Sequence, residues 1–348
     1  MGEMLTVNSS EPVQSIIWMR DGVSVLEQNI ARQNNGVVVA GGNGTGVAKN
    51  QFENPAAIFI DKDGNLFVPD MTNNRIQKWA PGAVTGTTVA GGNGSGNGAH
   101  QFNRPTGVAV DKEGNIYVAD QNNRRVQKWA PGATSGVTLA SGIGAPTRLC
   151  FDGSGNLYVS AQNDDRILMF VNATGAARVV AGGNGNGRGA NQLASPTGIF
   201  VDDKNNLYIC DTDNTRIQKW VLGESSGATV ATLSTNPLGI LVDKTDNMYI
   251  CDYTGYAVLK WRLGAPSGTI IAGGNGPGSN PNQIKPVGIF MDKHNSLFVS
   301  DFDNARVIKF SNIYTGSYTK DGITDILSSK DFTLTKGQQW HSTKTDTN

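Results

Sequence analysis

Pro105-Thr106-Gly107-Val108-Ala109-Val110-Asp111, Lys112-Glu113-Gly114-Asn115, Ile116-Tyr117-Val118-Ala119-Asp120, Gln121-Asn122-Asn123-Arg124-Arg125 and Val126-Gln127-Lys128-Trp129 read as three short strands parted by two tight turns. β-Branched and aromatic residues fill the strands, and Gly114-Asn115 supplies the positive φ that a tight hairpin turn requires. A loop containing Pro131-Gly132 then leads to a fourth strand, Val137-Thr138-Leu139-Ala140. The proline that opens this unit recurs as Pro55, Pro105, Pro146, Pro196, Pro237 and Pro286. Six copies at this period signify a propeller or a solenoid, not two unrelated domains.

We label the four strands of each unit a to d. Strands a and b are continuously apolar, as in Ile58-Phe59-Ile60 and Leu66-Phe67-Val68. Such runs suit a sheet buried on both faces, the situation of a blade between two neighbours. Strands of type d fall at Val37–Ala40, Thr87–Ala90, Val137–Ala140, Arg178–Ala181, Ala228–Ala231 and Thr269–Ala272. The first of them precedes the first strand a, and none follows the last strand c, Arg306–Phe310. Pairing Val37–Ala40 with that last blade would close the ring and remove its exposed edges. The expectation is an all-β, six-bladed β-propeller of four-stranded antiparallel blades over residues 36–310. Residues 1–35 are expected as an N-terminal extension whose Ile16-Ile17-Trp18 packs beside the closing blade, and 311–348 as a tail.

The units resemble the NHL-repeat family, nearly verbatim in Asp211-Thr212-Asp213-Asn214-Thr215-Arg216-Ile217. WD40 fits poorly, for want of its Gly-His and Trp-Asp marks; Kelch fits poorly because the Gly-Gly pairs occur at only four junctions, after strand d. The resemblance implies a recognition propeller, in some members joined to a RING and B-box that recruits substrates or RNA to a ubiquitin ligase. It also implies an alternative, since related six-bladed propellers include metal-dependent lyases and lactonases.

Composition limits these choices. The chain has 348 residues with 29 basic and 29 acidic side chains, so it lacks the broad positive field of non-specific nucleic-acid binding. RNA is therefore disfavoured, although Arg124, Arg125 and Arg148 could form a local patch. Three cysteines, Cys150, Cys210 and Cys251, build neither a disulfide framework nor a RING zinc array, and read as small buried residues. Ile16-Ile17-Trp18-Met19 is too short for a signal-peptide core or a membrane span, which leaves a cytoplasmic chain or a piece of a larger extracellular one.

Repeated ionisable groups read as scaffold. Asp70/Arg75, Asp120/Arg125, Asp211/Arg216 and Asp301/Arg306 flank the b–c turn five residues apart in four blades, whereas an active site needs one unique constellation. Trp79, Trp129, Trp220 and Trp261 read as core. Asp61, Asp111, Asp152, Asp202, Asp243 and Asp292 end every strand a and read as turn residues. Lys78, Lys128, Lys219, Lys260 and Lys309 read as a solvated outer surface. The Gly-rich d–a crossovers containing Asn43, Asn93, Asn184 and Asn275 open no helix and precede no Lys-Ser/Thr, so they are not phosphate loops.

Antiparallel geometry puts these crossovers and the b–c turns on one face, and loops carry function more often than strands. That rim, with Asn43, Asn93, Asn184 and Asn275, is the expected binding face. Departures from the repeat sharpen it. Blade 3 carries Arg148 at the position held by Gly107, Gly198, Gly239 and Gly288, and keeps Arg166 while Ala161 replaces the b-strand Asp. Blade 5 keeps Asp252, loses the Arg to Ala257, and adds Tyr253 and Tyr256. Together Arg148, Arg166, Asp252, Tyr253 and Tyr256 suggest a polar site at the channel mouth. His100, His294 and His341 lie too far apart along the repeat for one zinc. The sequence thus favours a non-catalytic scaffold without cofactor or metal, binding a protein or a small polar ligand at the channel mouth.

Overall fold

The computed structural model describes residues 36–311, together with the strands Gly2–Leu5, Ile17–Arg20 and Val23–Ser24. Its ring consists of six four-stranded antiparallel sheets, each in the order a-b-c-d outward from the axis. Blade 2 shows the pattern: Pro105–Val110, Ile116–Asp120, Arg125–Trp129 and Val137–Ser141. The final sheet joins Pro286–Met291, Leu297–Asp301 and Arg306–Phe310 to Val37–Gly41 near the start of the chain. Residue by residue, Arg306 faces Gly41, Val307 faces Ala40 and Lys309 faces Val37. The chain is an all-β six-bladed propeller closed by its first ring strand.

Two expectations need adjusting. Each d strand runs one residue further than its apolar run, to Gly41, Gly91, Ser141, Gly182, Thr232 or Gly273. Strand a of blade 1 is reduced to Phe59–Ile60, with Pro55 meeting Asp70 only through an isolated bridge. The three short N-terminal strands form a separate antiparallel sheet, in which Gly2–Leu5 and Val23–Ser24 flank Ile17–Arg20. Ile16 and residues 312–348 lie outside the described residues.

Packing explains the repeat. Trp79, Trp129, Trp220 and Phe310 are buried between blades, and Phe52–Trp79 and Phe102–Trp129 make tilted ring contacts at 5.5 and 5.4 Å. Burial of such rings removes ~150–250 Å² each from water. Close to the axis, the third position of strand a is glycine in blades 2, 4, 5 and 6. A Cβ on Gly239 would lie 2.8 Å from the Val287 carbonyl of the next blade, and one on Gly288 would lie 2.7 Å from that of Ala56. At these glycines the innermost strands touch the next blade through backbone, and the one long side chain at this level is Arg148.

The a–b turns also show their cause. Asp61, Asp111, Asp152, Asp202 and Asp243 each accept a bond from the backbone N–H four residues on and from the Asn side chain at that position. At Asp243, burial opposes ionisation, but bonds from Asn247 and Thr245 outweigh it and hold the carboxyl below its ordinary value. The repeated lysines are not a freely solvated face. Lys78, Lys128, Lys219, Lys260 and Lys309 each sit 5.1–6.0 Å over the ring contributed by strand b. Their stems cover aromatic surface while the ammonium meets the ring face.

Candidate functional site

Two regions of the ring present chemistry: the rim made by d–a crossovers and b–c turns, and the channel lined by the a strands.

On the rim, the Asp–Arg pairs do more than brace a hairpin. Arg216 donates from Nε to Asp211 at 2.6 Å, from Nη1 to the Arg188 carbonyl, and from Nη2 to those of Gly189 and Gln192. Asn214 adds a bond to the Gly187 carbonyl. One guanidinium thus ties the crossover entering the blade to the b–c turn of the same blade. Arg75, Arg125 and Arg306 repeat the arrangement on crossovers 46–51, 96–101 and 278–283. Burial raises the carboxyls of Asp70, Asp120 and Asp301 above their ordinary value despite bonds from backbone, Asn and Arg.

The crossover asparagines are likewise internal braces. Asn43, Asn93, Asn184 and Asn275 donate to the carbonyl two residues back and to a second one seven residues on, at Asn50, His100, Asn191 and Asn282. Their amide N–H groups shape the loop and are not offered to a partner. At Gly182 the turn requires φ of +69°, and a Cβ would meet the Asp165 carbonyl at 2.4 Å.

The structure does not bring the blade 3 and blade 5 residues into one site. Arg166 pairs with Asp164 at 3.0 Å in its own b–c turn. In blade 5, Asp252 accepts the Gly255 N–H, and Tyr256 occupies the left-handed position of the turn. Tyr253 packs on Phe302 of blade 6 at 6.5 Å, with the Lys285 ammonium 4.7 Å from its ring. Lys285 pairs with Asp303 at 2.9 Å, which with the Tyr253 contact pushes its pKa up to about 12 against burial. The blade 5 departure thus forms a half-buried aromatic and cationic cluster with blade 6. Its blade 6 members, Phe302 and Lys285, depart from the positions of Thr212 and Ser195 in blade 4, a signal that sequence reading passed over.

Arg148 lies at the rim end of the channel, beside the second residue of strand a in three blades. It does not simply hang there but spans the axis, donating from Nη1 to Thr106 and Thr147 at 3.4 and 3.3 Å and from Nη2 to Val287 in the opposite blade at 3.1 Å. From its level a cavity of about 950 Å³ runs away from the rim to the a–b turns of blades 4, 5 and 6. Half-buried Phe59, Cys150, Phe200 and Phe290 line it with Leu241. Burial lowers the Arg148 pKa to about 10, and pushes up the thiols of Cys150, Cys210 and Cys251. Cys150 is therefore a cavity-wall residue, whereas Cys210 and Cys251 are core.

Among the described residues, no three His, Cys, Asp or Glu side chains gather as metal donors. His100 lies in a crossover and His294 in an a–b turn, at opposite ends of the ring, and His341 is outside the described residues. No described helix is long and apolar enough to cross a membrane.

The NHL repeat model matches residues 102–129 and 193–220, which are blades 2 and 4 from the end of the crossover through strand c. No curated protein matches the sequence. Among solved structures, a Bacteroides thetaiotaomicron protein of unknown function is 17% identical, covers 80% of this chain and 75% of its own, and superposes with a TM-score of 0.63. A gluconolactonase from Xanthomonas campestris is 14% identical, over 75% of this chain and 87% of its own, at 0.58. A catalytically inactive virginiamycin B lyase from Staphylococcus aureus, with quinupristin, is 15% identical, over 78% and 89%, at 0.55. At these identities the likeness is one of fold.

Proposed function

For this NHL-repeat six-bladed propeller, we propose a non-catalytic binding scaffold that presents the crossover and b–c rim to a protein partner. The observation carrying this reading is the cluster of Tyr253, Lys285 and Phe302, set in a rim that four arginine clamps hold rigid. A surface ordered before binding loses little conformational freedom on docking, and Tyr with a cation beside it is a favoured anchor. The rim is also uneven, because blades 3 and 5 are entered by short crossovers (141–145 and 232–236) and the others by long ones. In substrate-recruiting or RNA-binding systems the same rim would be the docking face, and the neutral net charge favours a protein over RNA.

Cross-linking mass spectrometry on complexes captured by the full chain tests this reading. The rim lysines Lys49 and Lys285 should cross-link to the partner, and Tyr253→Ala with Phe302→Ala should cut capture about tenfold, as loss of anchor residues does. Cross-links confined to Lys204, Lys244 and Lys293 on the other face, with capture unchanged in the double variant, would overturn it.

A further inference from the structure

We propose that the central channel binds a small apolar carboxylate from the a–b face, with the carboxylate on Arg148 and the hydrocarbon body along Phe59, Phe200, Leu241 and Phe290. This site lies away from the rim and stands independently of the rim's partner.

The guanidinium chemistry points to the head group. Arginine has five N–H donors, and a carboxylate is gripped best by two parallel ones. In Arg148, Nη1 has two carbonyl acceptors and Nη2 has one. Nε–H has no acceptor among the described residues, and Nη2, which shares an edge of the planar group with it, has one carbonyl for its two hydrogens. The four clamp arginines, Arg75, Arg125, Arg216 and Arg306, fill that same Nε position with an aspartate, at 2.6–2.8 Å, and Arg166 pairs with Asp164 through Nη2 instead. Arg148 has the donor edge without the acid.

Nothing near it supplies the missing charge. The ionisable groups that act on its charge are the Cys251 and Cys210 thiols, which burial keeps protonated at neutral pH. A desolvated cation held only by three long carbonyl contacts gains most from an anion that enters with it. A single guanidinium edge, with no second basic side chain lining the cavity at that depth, matches a monoanionic carboxylate better than a phosphate.

The cavity specifies the rest. Its size of about 950 Å³ is that of a small-molecule site. From Arg148 to Asp152 the wall strand rises about 13 Å at roughly 3.3 Å per residue, so the apolar path is short. At the entrance, Asp202 and Asp243 are held by their turns, Lys204 pairs with Asp246 and Asp292 with Lys309, while Lys244, Lys293 and Asp203 have no ion-pair partner among the described residues. An incoming carboxylate meets Lys244 and Lys293 there, with the Asp203 carboxylate lining the same entrance, before the apolar wall.

Calorimetric titration of the full chain with octanoate, and with octanamide as its uncharged counterpart, tests the proposal. Octanoate should bind about tenfold or more tightly than octanamide at neutral pH, because only the anion completes the guanidinium edge. Arg148→Ala should erase that preference, Arg148→Lys should retain part of it, and Phe290→Ala should weaken both ligands. Failure of the unmodified chain to bind octanoate would overturn the site without recourse to any variant. Equal binding of the two ligands, or a preference that survives Arg148→Ala, would show Arg148 to be a structural tie between blades 3 and 6.

Discussion

Arg216 and Arg148 both direct a guanidinium into the propeller, yet they have opposite surroundings. Arg216 meets a buried carboxylate and three carbonyls, and the arrangement recurs in four blades. Arg148 meets three carbonyls and no carboxylate, and it occurs once. The contrast separates scaffold from site. A charge that folding itself requires is neutralised within the repeat, whereas a charge left with an open donor edge beside a cavity is available to a ligand.

The largest expected effect comes from unpairing a clamp. Asp211→Ala leaves Arg216 buried beside carbonyls alone and should cost about 3–5 kcal/mol, read by urea unfolding. A cost near zero would mean the clamps do not hold the rim. Next comes the axial glycine ring, where Gly239→Ala drives a Cβ against the Val287 carbonyl and should cost about 1–3 kcal/mol in the same measurement.

Arg148→Ala should be much milder, within about 1 kcal/mol of the parent or more stable, since it removes a charge without a buried partner acid. Blade 1 already carries Ala57 at that position. A loss as large as that of Asp211→Ala would collapse the distinction between clamp and site.

The smallest effect concerns pH. The Asp243 carboxyl is held low, so its contribution to stability is present above the ordinary 3.8 and is lost as pH falls through its folded value. The Asp70, Asp120 and Asp301 carboxyls are held high, so their contribution is present below 3.8 and lost as pH rises through their folded values. Carboxyl carbon NMR should find Asp243 titrating below these three, and Asn247→Ala should move Asp243 upward. The reverse order would show that the clamps, not the a–b turns, govern acid unfolding.

Much of this was legible in the chain. The proline period, Gly114-Asn115 and the displaced strand Val37–Ala40 were enough to count blades and close the ring, because short apolar strands sandwiched by neighbours have few other solutions. The singularity of Arg148 was legible as well, as a break in a glycine column. Its reach was not. A sequence position fixes which strand carries a side chain, but not how far across the channel a long arginine extends. Likewise the Lys78-type column looked solvated because its aromatic partners, such as Phe67, lie on a different strand.

The linear chain therefore determined the fold, the clamps and the places where the repeat is broken, all of which follow from local spacing and turn chemistry. Only the tertiary structure decided that the crossover asparagines are braces, that Tyr253 joins Phe302 and Lys285, and that Arg148 reaches blade 6 beneath an apolar cavity. Those facts depend on contacts between residues up to 139 positions apart, which exist only once the ring has closed and its glycines have brought opposite blades within reach of one side chain.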